Sequence, residues 1–138
     1  MRPQRREGWP ERLAAMVEAA RDVPFAWGNH DCCTWAARWV EAERGVSILA
    51  PFVYARGEWA SALEAARIMQ DAGGLGAIVT AELGVAMPAA RAMRGDVVRV
   101  EIEGRESLAV VVGDMAAAPG LEGIAFAPMG RWLEGWAV

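Results

Sequence analysis

Lysine is missing from the 138 residues: all 14 basic side chains are arginine, and His30 is the only imidazole. With alanine and glycine abundant, this bias points to a GC-rich genome and says little about chemistry. Cysteine is scarce as well. The two present, Cys32 and Cys33, are adjacent, so they cannot staple distant parts of the chain, and both are read as thiols. No apolar run is long enough to span a bilayer, and the opening MRPQRREGWPERL lacks the apolar region of a signal peptide. The expectation is a soluble protein made in the cytoplasm, without membrane insertion. Nor is there an excess of positive charge. A net charge of −4 argues against a nucleic-acid partner, and the cluster Arg2, Arg5 and Arg6 is expected to be a solvated or disordered arm within residues 1–8. Repeats, linkers and long low-complexity stretches are absent, so residues 1–138 are expected to form one domain.

What is present divides by periodicity into a helical first half and a strand-rich second half. PERLAAMVEAARD places Leu13, Met16, Val17 and Ala20 on one helical face, with Pro10 suited to the first turn. A second helix is expected from Asp31, a residue able to cap free backbone N–H groups, to about Arg44, where Gly45 stops it. Cys32, Trp35 or Ala36, and Trp39 share one of its faces, and Cys33, Ala37 and Val40 another, the pattern of a central helix. GEWASALEAARIMQDAGG predicts a third helix and LGAIVTAELG a short fourth. From Gly95 the segments GDVVRVEIEG, SLAVVVGD and GIAFAPM predict three or four antiparallel strands, and the tail MGRWLEGWAV is expected to dock its two tryptophans on the core. The fold class is α+β, with N-terminal helices packed on a small antiparallel sheet.

The chemistry-bearing residues gather in PFAWGNHDCCTWAARWVEAERGV, where His30, Asp31, Cys32 and Cys33 meet at a loop-to-helix junction. These are metal-ligand types, yet zinc ligands need wider spacing to converge and no second pair exists, so no metal and no cofactor is expected. On a helix Cys33 is expected to face away from Cys32 as a small core residue. The seven tryptophans offer stacking surface for sugars, but Trp35 and Trp39 fall on the core face of the second helix. An exposed subset of Trp9, Trp59, Trp132 and Trp136 would suggest a protein interface. Asp96 in RGDVV reads as a strand-entry turn residue.

FAWGNHDCCTWAARWVEAERG resembles the nucleophile segment of the NlpC family of papain-like cysteine peptidases, with Phe25, Trp27, Gly28, Asp31 and Cys32 matching its aromatic-x-Trp-Gly and Asp-Cys positions. MRGDVV, with Gly95 and Asp96, resembles the opening of that family's first core strand, and SLAVVVG, Ser107 to Gly113, its second. The likeness covers residues 24 to 118 in order. The whole chain further resembles small proteins encoded in the tail clusters of phages, prophages and gene transfer agents. The resemblance implies a papain-like domain with Cys32 as nucleophile, attacking as thiolate at a helix N-terminus. It also implies a histidine opening the second strand and a polar residue on the next strand to orient it. Here those positions fall on Ser107 and on Ala116 or Ala117, and neither residue type can do the work at neutral pH. The remaining candidate bases are His30, two residues before Cys32, and Glu106, whose pKa would have to rise far.

Two classes of function follow. The first is a non-catalytic structural or assembly component of a phage-like tail, at the tip or hub, held among other tail proteins through apolar and tryptophan-bearing surface and carried in the virion. The second is a cysteine hydrolase acting on peptidoglycan peptides, with Cys32 as nucleophile and His30 as an unconventional base. A module that holds cell-wall peptide without cutting it would lie between them.

Overall fold

The computed structural model describes residues 2–49, 59–102 and 104–138. Among the described residues, four α-helices come first: α1 (Trp9–Ala20), α2 (Cys32–Arg44), α3 (Ala62–Asp71) and α4 (Leu75–Leu83). A 3₁₀ turn at Ala89–Arg91 leads into five strands, β1 (Val97–Ile102), β2 (Arg105–Val111), β3 (Met115–Gly120), β4 (Gly123–Pro128) and β5 (Trp132–Trp136). Every strand pairing is antiparallel, in the order β4-β3-β2-β1-β5. The α+β class is therefore as expected, and the sheet has one strand more than the upper count.

The punctuation of the helices follows local chemistry. Pro10 sits in the first turn of α1, where a missing N–H costs nothing. Asp31 caps α2 with its side chain on the Thr34 N–H, Thr34 reciprocates, and Gly45 ends the helix at φ 66°. Ser61 caps α3. The stretch expected to begin the third helix at Gly57 lies partly outside the described residues.

Two strands escaped the sequence reading. MAAAPG forms β3 despite low strand propensity, because Ala116, Ala117 and Ala118 are all buried: Ala117 lies under the helices, where its small side chain lets α2 approach, and Ala116 and Ala118 join the cluster on the opposite face. The tail is not merely docked: Trp132–Trp136 is edge strand β5, paired to β1.

The sheet buries both faces. Toward the helices, Val97, Leu108, Val110 and Ala117 join Leu13, Trp35, Trp39, Val40 and Ile78. Opposite, Val98, Val100, Ala109, Val111, Ala118 and Trp132 form a second cluster drawn from all the strands together with Ala127. Trp132 Nε1 donates to the Ala127 carbonyl at 3.0 Å, tying the start of β5 to the end of β4.

The arginines expected to form a solvated arm are folded back instead. Asp96 is fully buried and its carboxylate accepts from Arg2 Nη1 (2.6 Å), Arg5 Nη2 (2.7 Å), Met93 N (2.8 Å) and Val138 N (3.2 Å). Asp96 thus turns the chain into β1, as read from sequence, and also clasps both ends of the chain. A second buried carboxylate, Glu43 on α2, takes a fork of two 2.8 Å bonds from Arg12 on α1. The paired geometry holds the Arg12 guanidinium, already always charged, still further toward its charged form.

Candidate functional site

The loop before α2 is organised around one side chain. Asp31 is buried, and while Oδ1 caps the helix at Thr34 N (2.9 Å), Oδ2 accepts from Gly28 N (2.9 Å) and from Trp59 Nε1 (2.6 Å). Gly28 is held at φ 78°, and a Cβ there would lie 2.1 Å from the Trp59 carbonyl oxygen. Any larger residue must therefore push the two segments apart. Gly28→Ala is expected to lower the urea midpoint by an amount equivalent to about 1–3 kcal/mol, from overpacking and a left-handed backbone together.

The capped helix presents Cys32 at its first position. The thiol is half-buried and opens on a cleft of about 510 Å³. The opposite wall of the cleft is α3, through Ala62, Ala66, Met69 and Gln70. Its mouth carries a stack that the sequence did not announce: Phe25 and Trp27 meet edge to face at 4.8 Å, and the Arg105 guanidinium lies over both rings at 5.6 and 5.2 Å. The only local signal was the Gly104 turn, which aims the first residue of β2 back at the loop.

Across the floor of the cleft, β2 brings Ser107 to Cys32. Cys33 hydrogen-bonds the Cys32 sulfur and lowers its pKa; burial opposes this, and the Leu108 backbone and the Ser107 hydroxyl add to the lowering. The net direction is downward, as suits a thiol at a helix N-terminus. Cys33 was expected to point away from Cys32, but the two sulfurs are 3.8 Å apart. Successive helical positions differ by about 100°, and this angle leaves two short side chains in the first turn within reach of each other. Cys33 is closed inside the core and its pKa is driven up, first by its bond to Cys32 and then by burial.

His30 lies elsewhere. It is absent from the cleft lining, its backbone pairs with Ala26, and its Nε2 is enclosed without a hydrogen-bond partner. Desolvation depresses its pKa, Arg38 depresses it further, and Asp31 opposes them. The neutral imidazole therefore favours the folded state. Its contribution is complete above the unfolded value of about 6.5 and is lost as pH falls through the lower folded value. Between pH 7.5 and 5 the urea midpoint of the wild type should fall more than that of His30→Gln. Equal slopes would place the imidazole in ordinary solvent.

The other sequence candidates are structural. Trp35 and Trp39 are core residues of α2, and Trp39 Nε1 donates to the Gly95 carbonyl at 2.7 Å. Ala116 and Ala117 are sealed in the sheet, whereas Glu106 reaches the cleft lining with its carboxylate paired to Arg99 at 3.2 Å. None of the seven tryptophans is exposed: Trp59, Trp132 and Trp136 are buried, and Trp9 is half-covered beneath Arg5 at 4.3 Å. Of the tryptophans, only Trp9 and the cleft residue Trp27 keep partial exposure. Among the described residues, no three His, Cys, Asp or Glu side chains gather as a metal site, and no helix is long and apolar enough to cross a membrane.

No curated protein matches the chain. One family model does, over residues 4–138, which takes in the clasped N-terminal arm, the Asp31 loop, the cleft and all five strands. The chain belongs to the family described as a domain of unknown function, DUF6950.

Proposed function

We propose that this protein is a non-catalytic assembly component, built on a scaffold of the NlpC papain-like type, that works within a phage-like tail among the other tail proteins of the particle. One observation carries the reading: the residue facing Cys32 from β2 is Ser107, a hydroxyl with no basicity at neutral pH, and the alanines beyond it can orient nothing. A retained nucleophile position without base or orienting group supports binding over turnover. Apolar surface for a partner is present on the β3–β4 ladder, where Met115, Leu121 and Phe126 are 38%, 65% and 50% exposed. Phe126 stands opposite Ala117, diagonal to Met115 on the same face.

Co-expression with each tail protein encoded beside it is expected to yield a stable complex that survives Cys32→Ala and is weakened by Phe126→Glu. A chain that stays monomeric with all of them would overturn the proposal. The second reading, a cysteine hydrolase of peptidoglycan peptides, is favoured by one feature, the lowered pKa of a thiol open to a cleft. It requires release of peptide fragments from purified peptidoglycan that is lost in Cys32→Ala, whereas binding without release would mark a peptide-holding module.

A further inference from the structure

The two thiols differ in every property that matters for sulfur chemistry, while their sulfurs are within contact distance. Cys32 faces the cleft, and Cys33 is 6% exposed and absent from the cleft lining. Their sulfurs are 3.8 Å apart, and a small apolar cavity of about 30 Å³ borders both, giving the side chains room to shift. At the first position of α2, Cys32 is hydrogen-bonded by Cys33, by the Leu108 backbone and by the Ser107 hydroxyl, which favour a thiolate against burial and the Asp31 charge, and no imidazole lines its cleft. Peptide-bond attack needs a proton returned to a leaving amine. Reaction with an electrophilic oxygen needs only the thiolate.

We propose that Cys32 and Cys33 form a hydroperoxide-responsive dithiol, in which Cys32 is oxidised from the cleft and Cys33 resolves it to a vicinal disulfide. In the first step the Cys32 thiolate attacks the terminal peroxide oxygen. The S–O bond forms, the O–O bond breaks, and the departing hydroxide or alkoxide takes a proton from solvent, so that sulfur is oxidised and the peroxide reduced. In the second step the Cys33 sulfur attacks the sulfenic sulfur. The S–S bond forms, the S–O bond breaks, and the leaving hydroxide takes up the Cys33 proton as water.

The product is strained by its position. Adjacent Cα atoms across a trans peptide are about 3.8 Å apart, short of the roughly 4.4–6.8 Å usual for a disulfide. The bond is therefore easily reduced, and forming it pulls the first two residues of α2 from helical geometry. Asp31 holds that turn through Thr34 N and the cleft loop through Gly28 N and Trp59 Nε1, so oxidation loosens the wall of the cleft. The inference is independent of the assembly role and of any hydrolysis.

The test treats the folded full-length protein with hydrogen peroxide and maps the products by peptide mass spectrometry, with the exposed Met93 and Met129 as internal markers of general oxidation. The wild type is expected to lose the two thiol hydrogens without gaining oxygen, before either methionine reacts, and to regain them with dithiothreitol. Cys33→Ser should stop at a Cys32 sulfenic acid that dimedone captures, and Cys32→Ser should leave Cys33 untouched while circular dichroism reports a folded chain. Thiols that stay unmodified after the methionines oxidise would overturn the proposal. So would a Cys32 that proceeds to sulfinic acid with Cys33 still free, and the wild-type map alone decides this if either variant fails to fold.

Discussion

Asp31→Ala is expected to destabilise the protein by about 3–5 kcal/mol, seen as a lower urea midpoint at unchanged slope. Loss of the helix cap accounts for about 0.5–2 kcal/mol. The larger part comes from the donors left behind. Trp59 Nε1 and Gly28 N both end on the same buried oxygen, and a buried donor without a partner costs about 1–3 kcal/mol. Asp31→Asn keeps an acceptor but turns an amide N–H₂ toward some of these donors, so it should fall between alanine and the wild type. A loss below about 1 kcal/mol for Asp31→Ala, the low end for a cap alone, would mean that the loop and Trp59 are held by something other than this carboxylate. The outcome bears on function because the same side chain sets the position of Cys32 and of the Trp27 wall.

Trp39→Ala is expected to cost a comparable 3–5 kcal/mol, the range for deleting a large buried aromatic side chain. Trp39 is fully buried at the centre of α2, and its indole N–H reaches the carbonyl of Gly95, which sits at φ 91° in the turn ahead of β1. Trp39→Phe separates the two contributions. It keeps most of the ring but leaves the Gly95 carbonyl without its donor, a loss of about 1–3 kcal/mol. If Phe were as damaging as Ala, the hydrogen bond rather than the packing would be the principal contribution of this residue.

Where the sequence carried local signals, the fold was legible in it. Pro10, Asp31 and Gly45 mark helix ends through steric and capping rules that act within four residues, and each stands where those rules put it. β3 was not legible, because alanine and proline disfavour strands in isolation and only burial on both faces of the sheet reverses that preference. Long-range pairing was equally silent. Nothing near Arg2 or Arg5 points to Asp96, more than 90 residues away, and nothing near Asp31 points to Trp59. Within the site, the order of residues around Cys32 could be read, whereas the Arg105 stack and the inward turn of Cys33 depended on side-chain directions that spacing does not determine.

The central claim is that the hydrogen bonds around the cleft thiol lower its pKa and that it has no imidazole partner. The rate at which iodoacetamide alkylates Cys32 in the folded protein, followed across pH in the wild type and in His30→Ala, tests it most directly. The account predicts selective labelling of Cys32 with a midpoint below the ordinary thiol range, Cys33 protected until the chain unfolds, and the same profile in both proteins. A profile that shifts or collapses when His30 is removed would contradict it, because His30 would then be acting on the sulfur as a base.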